Sequence, residues 1–187
     1  MALPYQCFFR QFGLVFQRAR SDTAVSIRRA VRSDISEILG CLRDAFATYE
    51  SQYSPDGFVD TVLTEKTLRE RLDAMTVFVA VDRASRIVGT LGCGVQPGRE
   101  GHLRGMAVTP TWQGNGVAGR LLATAEDHLR KSGCTCVTLD TTQPLRRAVC
   151  FYQRHGYRPT GKVGAYFGMP LIEYRKTLTQ PFDRDNA

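Results

Sequence analysis

The sequence predicts one mixed α/β (α+β) domain, in which helices flank both faces of a mostly antiparallel sheet. Strand-like and helix-like patterns follow one another in the order β-α-α-β-β-β-α-β-α-β-β. Hairpins early in that order and a strand–helix–strand crossover in its middle indicate a mixed sheet rather than a purely parallel one. The length of 187 residues suits a single hydrophobic core.

The first predicted elements are a strand at 25–31 and a helix that begins after Ser33 or Asp34. Glu37 stands three residues after Asp34, which is the spacing of a capping box. Apolar residues recur at helical spacing along this helix: Ile35, Ile38, Leu39, Leu42, Phe46 and Tyr49. The later elements are a turn at 54–57, a helix at 64–74, a hairpin of strands 76–81 and 87–95, a strand at 103–108, a helix at 116–131, a strand at 134–140, a helix with Pro144 in its first turn, and late strands at 157 and 171–178.

The composition excludes several kinds of protein. No run of eighteen apolar residues is present, so no membrane-spanning segment is expected. The net charge of +7 suits an anionic ligand or solubility alone, and no cluster of five basic residues indicates a nucleic-acid partner. Six cysteines occur without a C-x-x-C pair beside only three histidines, so no metal site is expected. Reduced thiols packed as small hydrophobes indicate a reducing compartment such as the cytoplasm.

Residues 1–24 differ in composition from the rest of the chain. Arginine supplies every charged side chain before Asp22, and phenylalanine recurs at every fourth position from 8 to 16. These features are typical of mitochondrial transit peptides, although serine is nearly absent here. A transit peptide and a loosely attached extension both stay open. We expect a folded domain over 25–180 and a tail over 181–187, in the cytoplasm or, with a transit peptide, in mitochondria.

The stretch from Gln113 to Ala118 is the most informative about function, because there a strand runs into a turn that opens a helix. Small residues leave room where a ligand would approach the backbone: Gly114, Gly116, Ala118 and Gly119. Free amides and the dipole at a helix start favour an anion. Close packing of the helix against the strand explains the glycines equally well. No Gly-Lys-Ser/Thr follows and the spacing does not match a dinucleotide fingerprint, so neither a P-loop nor a Rossmann site is predicted.

Several motifs together resemble the GCN5-related N-acetyltransferase (GNAT) superfamily. Its pyrophosphate motif, Gln/Arg-x-x-Gly-x-Gly/Ala, is matched by Gln113, Gly114, Asn115, Gly116, Val117 and Ala118. The strand at 103–108 is similar to the family's fourth strand, and Phe151–Tyr157 is similar to its Phe-Tyr-x-x-x-Gly-Phe/Tyr helix end. Ile27–Ala30 with Asp34 fits the family's first strand and helix. The resemblance covers residues 26–178.

The resemblance implies a GNAT-like sheet whose two central parallel strands splay apart, and an acyltransferase that uses acetyl-coenzyme A as co-substrate without a metal. The motif amides would hold the pyrophosphate, and exposed backbone at Met106, Ala107 and Val108 would pair with the pantetheine arm. The amine of a small molecule or peptide would attack the thioester carbonyl directly, helped by proximity and orientation. Dimers are common in that family, so the resemblance also allows a homodimer.

The resemblance also suggests the catalytic groups. Tyr152 occupies the position of the family's usual general acid, which protonates the departing thiolate, although a packing aromatic beside Phe151 is the alternative. Glu100 and His102 lie where many relatives hold a base or a water relay. Asp140, at the end of the next strand, and an ordered water are further candidates for the base.

Two further features concern ligand contacts. Relatives often carry an asparagine three residues before Ala148, where this chain has Leu145, and Thr142 or Gln143 are its candidate substitutes. Loops at 50–60 and 161–170 are expected to select the substrate, as such loops do in the family. Aromatic residues in them suit either a binding wall or a core edge: Tyr53, Phe58, Tyr166 and Phe167.

Two other classes of function compete with an enzyme. A sensor or interaction module that binds acyl-coenzyme A without turnover would keep the Gln113–Ala118 motif but would need no acid, so Tyr152 favours the enzyme. A nucleotide-binding regulatory domain is disfavoured because the P-loop lysine is missing.

Overall fold

The computed structural model describes residues 25–178, and in this range a seven-stranded sheet carries helices on both faces. The strands are β1 (Ser26–Arg29), β2 (Thr76–Val81), β3 (Ile87–Gln96), β4 (Glu100–Val108), β5 (Cys136–Thr142), β6 (Arg158–Tyr166) and β7 (Met169–Thr177). The α-helices are α1 (Ile35–Phe46), α2 (Pro55–Val62), α3 (Glu65–Ala74), α4 (Val117–Lys131) and α5 (Arg146–Arg154). The predicted mixed α/β class is confirmed.

The centre of the sheet holds its one parallel pair among the described strands. The order across the sheet is β1-β2-β3-β4-β5-β7-β6, and the neighbours are antiparallel except for β4 and β5, which α4 connects. This parallel ladder extends only from Glu100 opposite Cys136 to Leu103 opposite Leu139. Beyond these four pairs the two strands diverge, as the resemblance implied.

A bulge in β4 lies where the divergence begins. Thr90 of β3 pairs with Ala107 and Gly92 pairs with Arg104, so two steps along β3 lie opposite three steps along β4. The extra residue falls beside Gly105, whose φ of +69° is a conformation that favours glycine. A bulge bends its strand and strengthens the local twist, so β4 turns away from β5 at this point.

Two apolar cores occupy opposite faces of the sheet. The first packs α4 and α5 on the sheet, with Leu121, Leu129 and Tyr157 fully buried. The second packs α1, α2 and α3 on the other face around Ile38 and Leu42. The strands supply both cores because successive side chains alternate between the two faces.

Two local predictions in the first half of the chain are wrong. Residues 54–57 begin α2 instead of forming a turn, because the Ser54 hydroxyl accepts a hydrogen bond from the Gly57 amide at 3.3 Å and proline is well suited to the first helical turn. Glu37 does not complete a capping box at α1. Its carboxylate accepts a hydrogen bond from the Ile87 amide at 2.9 Å and so ties α1 to β3.

Three boundaries in the second half also differ from the prediction. β6 continues to Tyr166, so the loop predicted at 161–170 is reduced to a two-residue hairpin turn. β4 begins at Glu100, three residues before the predicted start of this strand at 103. α5 begins at Arg146, so Pro144 precedes the helix instead of occupying its first turn.

The predictions for residues 1–24 and for the tail at 181–187 lie outside the described residues. Within 25–178, no helix is long and apolar enough to cross a membrane. Four of the described cysteines are buried as small hydrophobes, namely Cys41, Cys93, Cys134 and Cys136, whereas Cys150 is partly exposed.

Asp34 joins the start of α1 to β1. Its carboxylate accepts hydrogen bonds from both terminal nitrogens of Arg28, at 2.6 and 2.9 Å, and from the Val31 amide at 2.8 Å. The hydrogen bonds from Arg28, followed by that from Val31, hold the pKa of Asp34 below its usual value against the opposing effect of burial.

Replacing Asp34 by asparagine should lower the free energy of unfolding by about 1.5–3 kcal/mol at neutral pH, the range for hydrogen bonds to a charged group. Because the folded-state pKa is depressed, this contribution is complete above the unfolded pKa of about 3.9 and is lost as pH falls through the folded value. Urea denaturation over a pH series measures the difference between wild type and variant. A difference that does not shrink in acid would contradict the charged contact.

Candidate active site

The divergence of β4 and β5 opens a cleft of about 920 Å³. Its walls are the separated strand ends, the start of α4 and one side of α5, and parts of α2, α3 and the β6–β7 hairpin close its far end. A cleft of this size is typical of small-molecule sites. The predicted contact residues Met106, Ala107 and Val108 line it, on the part of β4 that has left β5.

The glycines of the turn before α4 allow the positive φ angles that this turn adopts. Gly114 and Gly116 have φ of +82° and +78°, and a Cβ at either position would meet nothing within 4 Å. The alternative of close packing therefore fails for these two glycines. Close packing of α4 on the sheet instead requires glycine at Gly89 of β3, where a Cβ would lie 3.0 Å from Leu121 Cδ1 and 3.2 Å from Val117 Cγ1.

The start of α4 presents unbonded amides. The Arg120 amide donates to the Gly116 carbonyl at 3.1 Å, so the amides of Val117, Ala118 and Gly119 precede the first intrahelical bond, and no side chain of residues 25–178 caps them. Gln113 fixes the turn to the end of β4, because its side-chain nitrogen donates to the Val108 carbonyl at 3.0 Å. The result is a set of donors and a positive helix end beside the open strand edge.

The structure brings most of the predicted motif to the cleft. The lining includes Gln113, Gly114, Gly116, Val117 and Ala118. Asn115 is solvent-exposed, and it lies outside the lining. Gly119, whose small size was expected to leave room for a ligand, also lines the cleft.

Tyr152 combines both of the roles considered for it. Its ring is 6% exposed and packs against Phe151 and Tyr157 at centroid distances of 5.3 and 5.5 Å. The residue also lines the cleft, and within 25–178 its hydroxyl has no hydrogen-bond partner. Burial raises the pKa of the phenol well above its ordinary value. A neutral phenol with an unused proton is what a general acid requires.

Hydrogen bonds across the β4–β5 ladder determine which nitrogen of His102 carries its proton. The Thr138 hydroxyl lies 3.1 Å from Glu100 Oε1, 3.3 Å from the Gly101 carbonyl and 3.1 Å from His102 Nδ1. The carboxylate and the carbonyl only accept, so the arrangement that satisfies most groups gives the single hydroxyl proton to one of them and has His102 Nδ1 donate to Thr138. In this tautomer the neutral imidazole has a lone pair on Nε2.

His102 and Asp140 face each other in the cleft, whereas Glu100 does not reach it. His102 Nε2 lies 3.8 Å from Asp140 Oδ2, and both residues belong to the lining. Burial lowers the pKa of His102, against the opposing effect of Asp140, so the imidazole is neutral at pH 7. Burial likewise raises the pKa of Asp140. Glu100 lies outside the lining and bonds to Thr138.

Two of the predicted wall aromatics line the far end of the cleft. Tyr166 donates to Asp60 Oδ2 at 2.8 Å, which attaches the β6–β7 hairpin to α2. The hydroxyls of Tyr53 and Thr142 lie 2.6 Å apart, which ties the segment before α2 to β5. The other two aromatics lie outside the lining: Phe58, which packs on the α1 core, and Phe167, which is 49% exposed.

An unpaired hydroxyl lies near Leu145, the position that departs from the family pattern. Of the predicted substitutes for asparagine, Thr142 lines the cleft with its hydroxyl 2.6 Å from that of Tyr53, whereas Gln143 is exposed and lies outside the lining. Thr141 lines the cleft and carries a buried hydroxyl that has no hydrogen-bond partner among the described residues. Such an atom is available to an ordered water or to a polar group of a ligand. The sequence contains no signal that distinguishes Thr141 from its neighbour.

Within 25–178, no group of three histidine, cysteine, aspartate or glutamate side chains is arranged to hold a metal ion. The polar groups that line the cleft are helix amides, hydroxyls, one imidazole, carboxylates and guanidinium groups.

Comparison of the sequence with known proteins identifies the family that the motifs resemble. The model of the acetyltransferase (GNAT) family matches residues 39–157, which include β4, the glycine turn and Tyr152. The chain is 40% identical over 72 residues to the uncharacterized N-acetyltransferase YjhQ of Escherichia coli, a match that covers 38% of this chain and 36% of that protein. It is 35% identical over 78 residues to an aminoglycoside N(6')-acetyltransferase type 1 of Stenotrophomonas maltophilia, covering 42% of this chain and 50% of that one. The chain thus spans half or less of the length of these relatives.

A solved structure has the same fold. The PaiA N-acetyltransferase of Thermoplasma acidophilum, in complex with coenzyme A, superposes with a TM-score of 0.70 at 16% identity. The superposition covers 83% of this chain and 99% of that one. At this identity the likeness concerns the fold alone.

The two neighbouring threonines of β5 provide a matched pair of substitutions. Thr141→Val removes an unpaired buried hydroxyl and should leave the free energy of unfolding unchanged or raise it by up to about 1 kcal/mol, whereas Thr142→Val leaves the Tyr53 hydroxyl unpaired and should lower it by about 1–2 kcal/mol. Urea denaturation of the ligand-free protein measures both. Equal destabilisation by the two substitutions would mean that the Thr141 hydroxyl has a partner.

Proposed function

Since this chain belongs to the acetyltransferase (GNAT) family, we propose that it transfers an acetyl group from acetyl-coenzyme A to a primary amine of a small molecule or peptide. One observation carries the proposal: a single cleft joins an open strand edge, unbonded helix amides and the unpaired hydroxyl of Tyr152. A module that only binds the coenzyme needs the edge and the amides but not the hydroxyl. An enzyme is therefore favoured over a sensor.

The donor half of the cleft has groups that match the chemistry of acetyl-coenzyme A. The free edge at Met106–Val108 offers backbone groups to the two amides of the pantetheine arm, in the manner of an added strand. The amides of Val117, Ala118 and Gly119, with the helix dipole, suit the pyrophosphate. Thr141 offers the polar partner that Leu145 lacks. When bound, the coenzyme supplies an activated thioester carbonyl.

Tyr152 is the proton donor in this proposal. As the amine nitrogen bonds to the carbonyl carbon and the carbon–sulfur bond breaks, the Tyr152 hydroxyl gives its proton to the leaving thiolate. The raised pKa keeps the phenol protonated at neutral pH, and the phenolate that remains after transfer takes up the proton that the product amide nitrogen loses. Ring packing against Phe151 and Tyr157 fixes the direction of the hydroxyl.

His102 is the base in this proposal, and Asp140 assists it. A primary amine arrives mostly as ammonium, which the Asp140 carboxylate attracts. The free lone pair on His102 Nε2 then removes a proton, and Thr138 holds the ring so that Nε2 points into the cleft. Glu100 acts through Thr138 and positions the imidazole, which differs from its predicted role as a base.

The proposed activity is tested by release of free coenzyme A thiol from acetyl-coenzyme A in the presence of a panel of primary amines. Tyr152→Phe should lower kcat by about 10²- to 10⁴-fold, the usual contribution of a positioned acid, without changing the affinity for coenzyme A. Tyr174→Phe is the matched control, because Tyr174 is also buried but lies outside the cleft lining. Binding of coenzyme A without turnover of any amine by the folded protein would contradict the enzyme and favour the sensor.

The pH dependence of kcat/KM tests the base. His102 is active when neutral, and burial lowers its pKa, so kcat/KM should fall in acid with an apparent pKa below the ordinary value of 6.5. His102→Gln should remove this acid limb and lower kcat/KM by about 10²- to 10⁴-fold. His128→Gln, outside the cleft, is the control. An acid limb that persists in His102→Gln would assign the base to another group.

A further inference from the structure

Arg71 is a cation inside the cleft without a counter-ion of its own. It extends from α3 across β4 at the bulge, where a Cβ on Gly105 would lie 2.5 Å from Arg71 Nη1. Within 25–178, its guanidinium makes no hydrogen bond and no ion pair, although it is half-buried and lines the cleft. The absence of a side chain at Gly105 therefore serves two purposes: it permits the bulge, and it gives space to this guanidinium.

Asp60, the acidic group that acts on Arg71, already has other partners. Asp60 Oδ2 accepts the hydrogen bond of Tyr166 at 2.8 Å and lies 3.5 Å from Arg104 Nη2. Burial, followed by the like charge of Arg104, lowers the pKa of Arg71 to about 10, with Asp60 opposing the shift. Arg71 therefore still carries its charge at neutral pH. A partly desolvated guanidinium with five donors and no acceptor is costly unless a ligand supplies the acceptor.

The position of Arg71 assigns it to the acceptor half of the cleft. Arg104 alternates with His102 along β4 before the bulge, so the two side chains share the sheet face on which α2 and α3 pack. Arg71 reaches this same face from α3, whereas the unbonded amides of α4 belong to the face that carries α4 and α5. An anion held by Arg71 therefore lies on the side of the proposed base.

We infer that Arg71, with Arg104 beside it, binds a carboxylate of the acceptor, so that the acceptor is an amine that also carries a carboxylate, such as an amino acid. This inference rests on the proposed function and names its substrate class. The planar guanidinium matches a carboxylate with two parallel hydrogen bonds. The two charged groups of such an acceptor then have separate partners, the ammonium near His102 and Asp140 and the carboxylate near Arg71.

Matched acceptors test the inference on the wild-type protein. Each amino acid of a panel is compared with its own carboxamide, which keeps the amine and the size but removes the negative charge, by thiol release from acetyl-coenzyme A. Short peptides with a free amino end and either an acidic or an amide side chain at their first residue form a second arm, which distinguishes free amino acids from peptide acceptors. We expect kcat/KM to be about 10- to 100-fold higher for the carboxylate member, the factor that charge-assisted hydrogen bonds contribute.

Substitutions then test whether the preference for carboxylate over carboxamide acceptors depends on Arg71. Arg71→Gln should raise KM for the carboxylate acceptor by about 10- to 100-fold and leave the carboxamide unchanged, and Arg71→Lys should restore part of the preference. Arg69→Gln is the control, because it removes the same charge from an exposed position of α3 that pairs with Glu65. The affinity for coenzyme A should be equal in all of them.

Two results would overturn the inference. The first is equal kcat/KM for carboxylates and carboxamides in the wild type, which decides the question even if a variant fails to fold. The second is an equal effect of Arg71→Gln on both members of a pair. Absence of thiol release with every amine, while coenzyme A still binds, would instead contradict the proposed function itself.

Discussion

The short β4–β5 ladder is the constraint on which the site depends. Four residue pairs join the two strands, and the bulge at Gly105 turns β4 away before a fifth can form. Both strands keep their other neighbours, β3 and β7, so the sheet stays continuous around the gap. Because the ladder stops there, backbone groups of β4 and β5 face the gap unpaired in the centre of the sheet, where such groups are normally hydrogen-bonded. A ligand with amides of its own can satisfy them.

The rest of the fold fixes the groups around this gap. Close packing of α4 on Gly89 directs the start of that helix, and its unbonded amides, at the cleft. The intact part of the ladder holds Thr138 opposite His102, which fixes the ring and its tautomer. Tyr166 and Asp60 attach the last hairpin to α2 and close the far end. Each proposed chemical role thus depends on a contact that belongs to the fold.

The sequence predicted those features that depend on local pattern. Alternation and helical spacing identified most elements, and the motif at Gln113–Ala118 with Tyr152 identified the two walls that meet in the cleft. Features set by long-range contacts were not predictable. Thr141 and Thr142 are adjacent and identical in type, and only the distance to Tyr53 separates their roles. Arg71 belongs to a charged helix, and nothing in the local pattern indicates that it enters the cleft.

Hydrogen–deuterium exchange with and without coenzyme A tests the central claim, that the gap between β4 and β5 is the donor site, most directly. The account predicts that saturating coenzyme A slows exchange in the segments 104–108 and 114–119, because their amides gain acceptors, and leaves the antiparallel pair of β1 and β2 unchanged. Unchanged exchange in both segments at saturation, or protection confined to another part of the chain, would contradict it.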